Sequence, residues 1–185
     1  MRRAAALLLV ALAAASCQQG GDRKAKPEER AVATKGGPKT AVVADAEKKP
    51  PPLQIEAWVN SEPLELADLK GKVVVLDFWA IYCAPCVKLM PHLGELYGKH
   101  KAEGLIVIGV TENRKGEVET FAQRHKIAYP LAIDKLVEGA GQTHHAYGIV
   151  ALPMAYVVGR DGRVAWQGRG DQLTAETILA ELAKK

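Results

Sequence analysis

Lys72–Ala80 is a run that suits only the interior of a sheet, and it leads straight into a pair of cysteines. Val73-Val74-Val75-Leu76 is apolar without alternation, the pattern of a strand covered on both faces. Cys83-Ala84-Pro85-Cys86 follows, where a helix is expected to start. Two intervening residues let both sulfurs share the first helical turn, close enough for a disulfide. The helix start offers unpaired N–H groups and a partial positive charge. These favour the thiolate, the reactive form of the thiol, most strongly at Cys83. Pro85 suits that position because no N–H donor is needed there.

The elements around this segment alternate. Leu53–Val59 and Glu62–Leu66 suggest a short hairpin across Asn60-Ser61. A helix is expected over Ala84–Lys101 with a kink at Pro91. Leu105–Val110 reads as a second buried strand, Glu117–His125 as an amphipathic helix and Ala140–Tyr147 as a short helix. Met154–Val158 and Arg163–Gln167 flank Asp161-Gly162, a hairpin turn signal. Thr174–Ala183 closes the chain as a helix with Thr174 as its N-cap. This order predicts an α/β domain with mixed strand directions over residues 53–185.

The N-terminal third has another character. Residues 1–17 carry Arg2-Arg3, an apolar run Ala4–Ala15 and small residues before Cys17, the form of a secretory signal peptide. Twelve apolar residues are too few to span a bilayer comfortably. Two cleavage sites compete, an ordinary one at Ala13-Ala14-Ala15 and a lipobox at Ala14-Ala15-Ser16-Cys17. The lipobox is preferred, with Cys17 as the lipidated residue that anchors the protein to a membrane. Residues 18–52 are rich in Pro, Gly and charge, hold no aromatic residue, and are expected to form a disordered tether. The chain's net charge of +4 resides there: residues 18–52 contain eight Lys and Arg against five Asp and Glu, and Arg2-Arg3 add two more. Residues 53–185 are left at −1, which removes the case for nucleic acid as a partner.

A lone Cys-x-x-Cys also fits half a zinc site or a static disulfide. A second pair of ligands is missing: the third cysteine is Cys17, and His92, His100, His125, His144 and His145 follow no zinc-ligand spacing. No metal and no cofactor are expected. His92 and Met90 read as packing or surface residues, and His144-His145 as solvated helix surface. Asp77 is a charge inside a buried strand. It either reaches solvent at the strand end or is a buried acid with a raised pKa that takes the proton from Cys86 when that thiol resolves a mixed disulfide.

Asp77-Phe78-Trp79-Ala80-Ile81-Tyr82-Cys83-Ala84-Pro85-Cys86 resembles the active site of the thioredoxin superfamily. Residues 66–72 before the strand, Pro91, and Tyr147–Pro153 before the last hairpin resemble its extracytoplasmic TlpA/ResA/DsbE-like branch. The resemblance implies a thioredoxin-like fold: a mixed central sheet flanked by helices, here with an N-terminal hairpin extension. It implies Cys83 as nucleophile, Cys86 as resolving thiol, and Pro153 as a cis-proline facing the pair and keeping metal ligands out. Leu152, Pro153 and Trp79 would then meet the substrate. It further implies a monomeric thiol–disulfide oxidoreductase of envelope proteins, cytochrome c maturation among its settings, recharged by a transmembrane thiol carrier. Three positions depart from the branch: Asp77 where Asn is frequent, Tyr82 for Trp, and Leu89 for a Glu found in some members. Ala-Pro between the cysteines resembles reducing relatives, so a potential on the order of −300 to −200 mV is expected. The rivals are a peroxiredoxin-like peroxidase, whose Pro-x-x-x-Thr-x-x-Cys pattern is missing before Cys83, and a copper-delivery lipoprotein that uses the thiolates for Cu(I).

Overall fold

The computed structural model describes residues 48–184. The expected signal peptide, Cys17 and most of the expected tether lie outside the described residues. The strands are β1 (Ile55–Val59), β2 (Val73–Phe78), β3 (Leu105–Thr111), β4 (Leu131–Asp134), β5 (Leu136–Val137), β6 (Ala140–Gly141), β7 (Met154–Val158) and β8 (Val164–Arg169). The helices are α1 (Ala84–His100), α2 (Lys115–His125), α3 (Gln142–Ala146) and α4 (Ala175–Leu182). Six strands form one sheet in the order β1-β4-β3-β2-β7-β8. β2, β3 and β4 are parallel, while β1, β7 and β8 join antiparallel. This is the α/β fold with a mixed central sheet expected from the sequence.

β2 lies inside the sheet and is buried along its whole length. Alternation sorts its side chains between two cores. Val73 and Val75 pack with Met90 and Leu93 of α1, Phe121 of α2 and Ile178 of α4. Val74, Leu76 and Phe78 pack on the other face with Leu53, Tyr147 and the turn Leu66–Leu69. By the same alternation Asp77 shares the face of Val73 and Val75, beneath α1. That helix runs unbroken through Pro91. The β7–β8 turn puts Gly162 at φ +76°, and Thr174 caps α4 by accepting the N–H of Thr177 at 3.3 Å.

The N-terminal hairpin does not form. Ile55–Val59 pairs antiparallel with β4 across the sheet, and Leu66–Leu69 is a 3-10 turn. The partner strand β4 is only four residues long, and its place depends on register with β3. The expected helix from Ala140 starts at Gln142, because Ala140-Gly141 pairs with Leu136-Val137 instead. Residues 48–52, at the end of the expected tether, already touch the domain. The Lys48 carbonyl accepts the Val164 N–H at 3.2 Å, and the Pro51 carbonyl accepts the Tyr147 hydroxyl at 2.7 Å. No helix among the described residues is long and apolar enough to cross a membrane.

Candidate functional site

β2 ends at Phe78, and the chain turns through Trp79–Tyr82 into α1. Cys83 is the N-cap of α1. Its sulfur accepts the Cys86 N–H at 3.3 Å, so the helix start points a donor at it. The two cysteines are joined in a disulfide with Cα atoms 5.3 Å apart. Cys86 is fully buried, while Cys83 keeps 8% exposure. Of the two, only Cys83 has any exposed surface. When the bond is reduced, the same N–H and the helix dipole stabilise the thiolate there.

Asp77 is fully buried, and neither of its carboxylate oxygens has a hydrogen-bond partner. Desolvation alone pushes its carboxyl up to about 7. The hydroxyl of buried Tyr129 is likewise unpartnered, and burial, then the Asp77 charge, pushes its phenol well up. Gly109 is the β3 register partner of Asp77. A Cβ there would lie 2.7 Å from Leu131 Cδ2 and 3.0 Å from Trp79 Nε1.

A cleft of about 620 Å³ opens in front of Cys83, lined also by Tyr82, Glu112, His144 and Val150–Leu152. Tyr82 and Val150 form an apolar rim, 81% and 97% exposed. The Leu152–Pro153 peptide is cis. The Pro153 carbonyl accepts the Gly170 N–H at 3.1 Å, but no backbone hydrogen bond joins Val150, Ala151 or Leu152 to any other described residue. Their peptide groups remain free beside the disulfide. Trp79 corrects one expectation. It has no exposed surface and packs on Phe121 at 5.2 Å between ring centroids, so it supports the site from below rather than meeting substrate.

The sequence reading missed a second polar group. Asp134, at the end of β4, is fully buried and accepts the Thr143 N–H at 2.9 Å and the His144 N–H at 2.8 Å. Its Oδ2 also meets His144 Nδ1 at 2.7 Å. Burial would push this carboxyl up, but the His144 and Thr143 hydrogen bonds outweigh it and hold it below the usual carboxylate range. His144 is therefore no solvated surface residue: it is 8% exposed, with its ring edge-on to Phe78. Glu112 stands beside it and accepts the Gly141 N–H at 2.7 Å. Glu112, Asp134 and His144 bring their donor atoms within 4.8 Å of one another, but hydrogen bonds within the protein already engage the carboxylates. The signal for Asp134 was present in Leu131-Ala132-Ile133-Asp134, an acid directly after an apolar run, as Asp77 follows Val73–Leu76.

Residues 46–167 match the AhpC/TSA family. The chain is 34% identical over 128 residues to the thiol-disulfide oxidoreductase ResA of Bacillus thuringiensis subsp. konkukian, covering 69% of this chain and 70% of that protein. With the ResA of Bacillus thuringiensis strain Al Hakam it shares 36% over 146 residues, 76% of this chain and 82% of the relative. In three dimensions it resembles a thiol:disulfide interchange protein DsbE from Chlorobium tepidum, with a TM-score of 0.64 and 30% identity over 75% of this chain and 99% of that one. The fold of StoA from Bacillus subtilis is also similar, with a TM-score of 0.57 at 23% identity, covering 73% of this chain and 98% of that one. A redox pair at the start of a helix, on a sheet shared with these proteins, marks a thiol–disulfide oxidoreductase: the chain belongs to the AhpC/TSA family and, within the thioredoxin superfamily, to its TlpA/ResA/DsbE-like branch.

Proposed function

We propose that the protein is a disulfide reductase of envelope proteins, held to a membrane by lipid on Cys17 and acting on extended segments of its substrates. The Cys83 thiolate attacks a substrate disulfide, forms a mixed disulfide and releases one substrate thiol. Cys86 then attacks Cys83, the second substrate thiol leaves, and the Cys83–Cys86 disulfide forms. Asp77, deprotonated, takes the Cys86 proton. A transmembrane thiol carrier returns two electrons to the pair. Apocytochrome c is one substrate of suitable chemistry, because its cysteines lie in an unfolded chain.

One observation carries this reading: Cys83, the less buried cysteine of the pair, lines one cleft with three residues whose peptide groups are unpaired. An extended strand docks there by main-chain hydrogen bonds. The apolar rim of Tyr82 and Val150 favours apolar side chains flanking the substrate cysteine. Leu76 and Ala80 stand where the peroxidase pattern needs Pro and Thr, which weighs against peroxide as substrate.

Insulin reduction with a dithiol supply tests the reading. The wild type turns over, Cys83→Ser does not, and Cys86→Ala captures its partner as a stable mixed disulfide in cells. Absence of turnover together with tight stoichiometric Cu(I) binding would overturn it. For the anchor, Cys17→Ala should move the protein from the membrane to the soluble fraction and abolish labelling by radioactive palmitate.

A further inference from the structure

The redox mechanism provides a base for the inner thiol but leaves the outer step unattended. When Cys83 attacks a protein disulfide, the departing group is an alkyl thiolate with an ordinary pKa of about 8.5. A thiolate of higher pKa leaves more slowly, and a positioned acid that protonates it in the transition state offsets this. Among the described residues lining the cleft, the imidazole of His144 has the chemistry to supply that proton.

Its orientation is built in. Asp134 is ionised and can only accept, so His144 Nδ1 carries the hydrogen in their 2.7 Å bond. Two further N–H donors, from Thr143 and His144 itself, fix the carboxylate, and Phe78 packs against the ring. Gly141 makes room for the arrangement, since a Cβ there would run into Asp134 Oδ2 and Glu112 Oε1. That leaves Nε2. It makes no hydrogen bond among the described residues, yet it is not one of the solvent-excluded polar atoms, so it reaches solvent from a residue that lines the cleft with Cys83. Two carboxylates face the ring, Asp134 in contact and Glu112 within 4.8 Å.

We propose that His144, oriented by Asp134, donates the proton to the substrate thiolate displaced by Cys83. The inference rests on the reductase reading above. The Cys83 sulfur bonds to one substrate sulfur and the substrate S–S bond breaks. The electron pair goes to the second substrate sulfur, which takes the Nε2 proton of the imidazolium form of His144 and leaves as a thiol, while the Nδ1 hydrogen stays in its bond to Asp134 and the ring is left neutral. In the reverse direction the neutral imidazole accepts that proton. His144 thus serves the outer sulfur as Asp77 serves the inner one.

The test compares leaving groups. Single-turnover reduction by the prereduced full chain is measured with an aromatic disulfide, 5,5′-dithiobis(2-nitrobenzoate), and with oxidised glutathione. The aromatic thiolate leaves without a proton, whereas the glutathione thiolate benefits from one. His144→Asn retains a donor for Asp134 but has no proton to give, and His144→Gln is measured beside it. Both should slow the glutathione reaction roughly a hundredfold, the lower range for a positioned acid. Both should leave the aromatic reaction within about twofold of wild type, and a fall in melting temperature from the lost packing on Phe78 would act on both substrates alike. Equal slowing of both substrates, or of neither, overturns the role of His144 and leaves the reductase reading intact. A wild type that reduces neither substrate overturns both. Glutathione reduction lost in a chelator and restored by zinc would assign Glu112, Asp134 and His144 to a metal and overturn the proton-donor role.

Discussion

Two aspartates are fully buried within the domain and meet opposite fates. Asp134 collects two backbone N–H groups and an imidazole, and its carboxyl stays below the usual range. Asp77 collects no hydrogen bond, and its carboxyl rises to about 7. Burial is common to both, so the partners decide the charge. A carboxylate locked by donors is a fixed negative fixture, useful for aiming a neighbour. A carboxyl denied donors binds and releases a proton near neutrality, which suits it to a thiol that must lose one.

Asp77→Asn puts the most strain on this contrast. With the proposed acceptor gone, resolution of the mixed disulfide should slow about a hundredfold at neutral pH, read by stopped-flow release of the second substrate thiol. Unchanged release would reduce Asp77 to a buried group without a task. The same variant has a thermodynamic signature. Between the unfolded pKa near 3.8 and the folded value of about 7, the native chain keeps a proton that the unfolded chain has lost. The Asp77 contribution to wild-type stability therefore falls as pH rises through this window and is flat on either side. Asn has no such dependence. The stability of Asp77→Asn relative to wild type should rise by about 4 kcal/mol from pH 4 to pH 8, followed by urea denaturation of the oxidised protein.

Asp134→Asn should act with the opposite sign. Its depressed carboxyl contributes stability above the unfolded pKa and loses it as pH falls through the folded value. The variant should cost about 3 kcal/mol at pH 7, because an amide cannot accept from every donor that faces it. The deficit should shrink in acid below the usual carboxylate range, and a deficit equal at all pH values would assign the loss to packing alone. Tyr129→Phe is the smallest change. It removes an unpartnered hydroxyl, and stability should move by less than about 1 kcal/mol. A larger loss would mean that the hydroxyl is a working partner of Asp77 and that the inner carboxyl is less bare than described.

Legibility in the sequence followed the range of the interactions. Strand β2, the cysteine spacing and the start of α1 lie within fifteen consecutive residues, and local chemistry alone identifies them. The thioredoxin-like architecture was readable from the same stretch together with Tyr147–Pro153. The pairing of β1 with β4 was not, because Val59 meets Leu131 across more than seventy residues and Glu62–Leu66 offered a partner only a turn away. His144 was misread for a related reason. His144-His145 looks polar in one dimension, and only folding places Asp134 and Phe78 around the first of the two. Asp134 itself was as visible as Asp77 but lacked an adjacent motif to give it meaning.

The attachment of residues 48–52 has a mechanical consequence. Lys48 bonds to Val164 beside the β7–β8 turn. That turn lies at the Val74 end of β2, since Val74 pairs with Val158, whereas Cys83 follows the Phe78 end. The chain enters the domain at the pole opposite its reactive sulfur. A pull applied at residue 48 is loaded onto β8 first, at the end of β2 away from the disulfide.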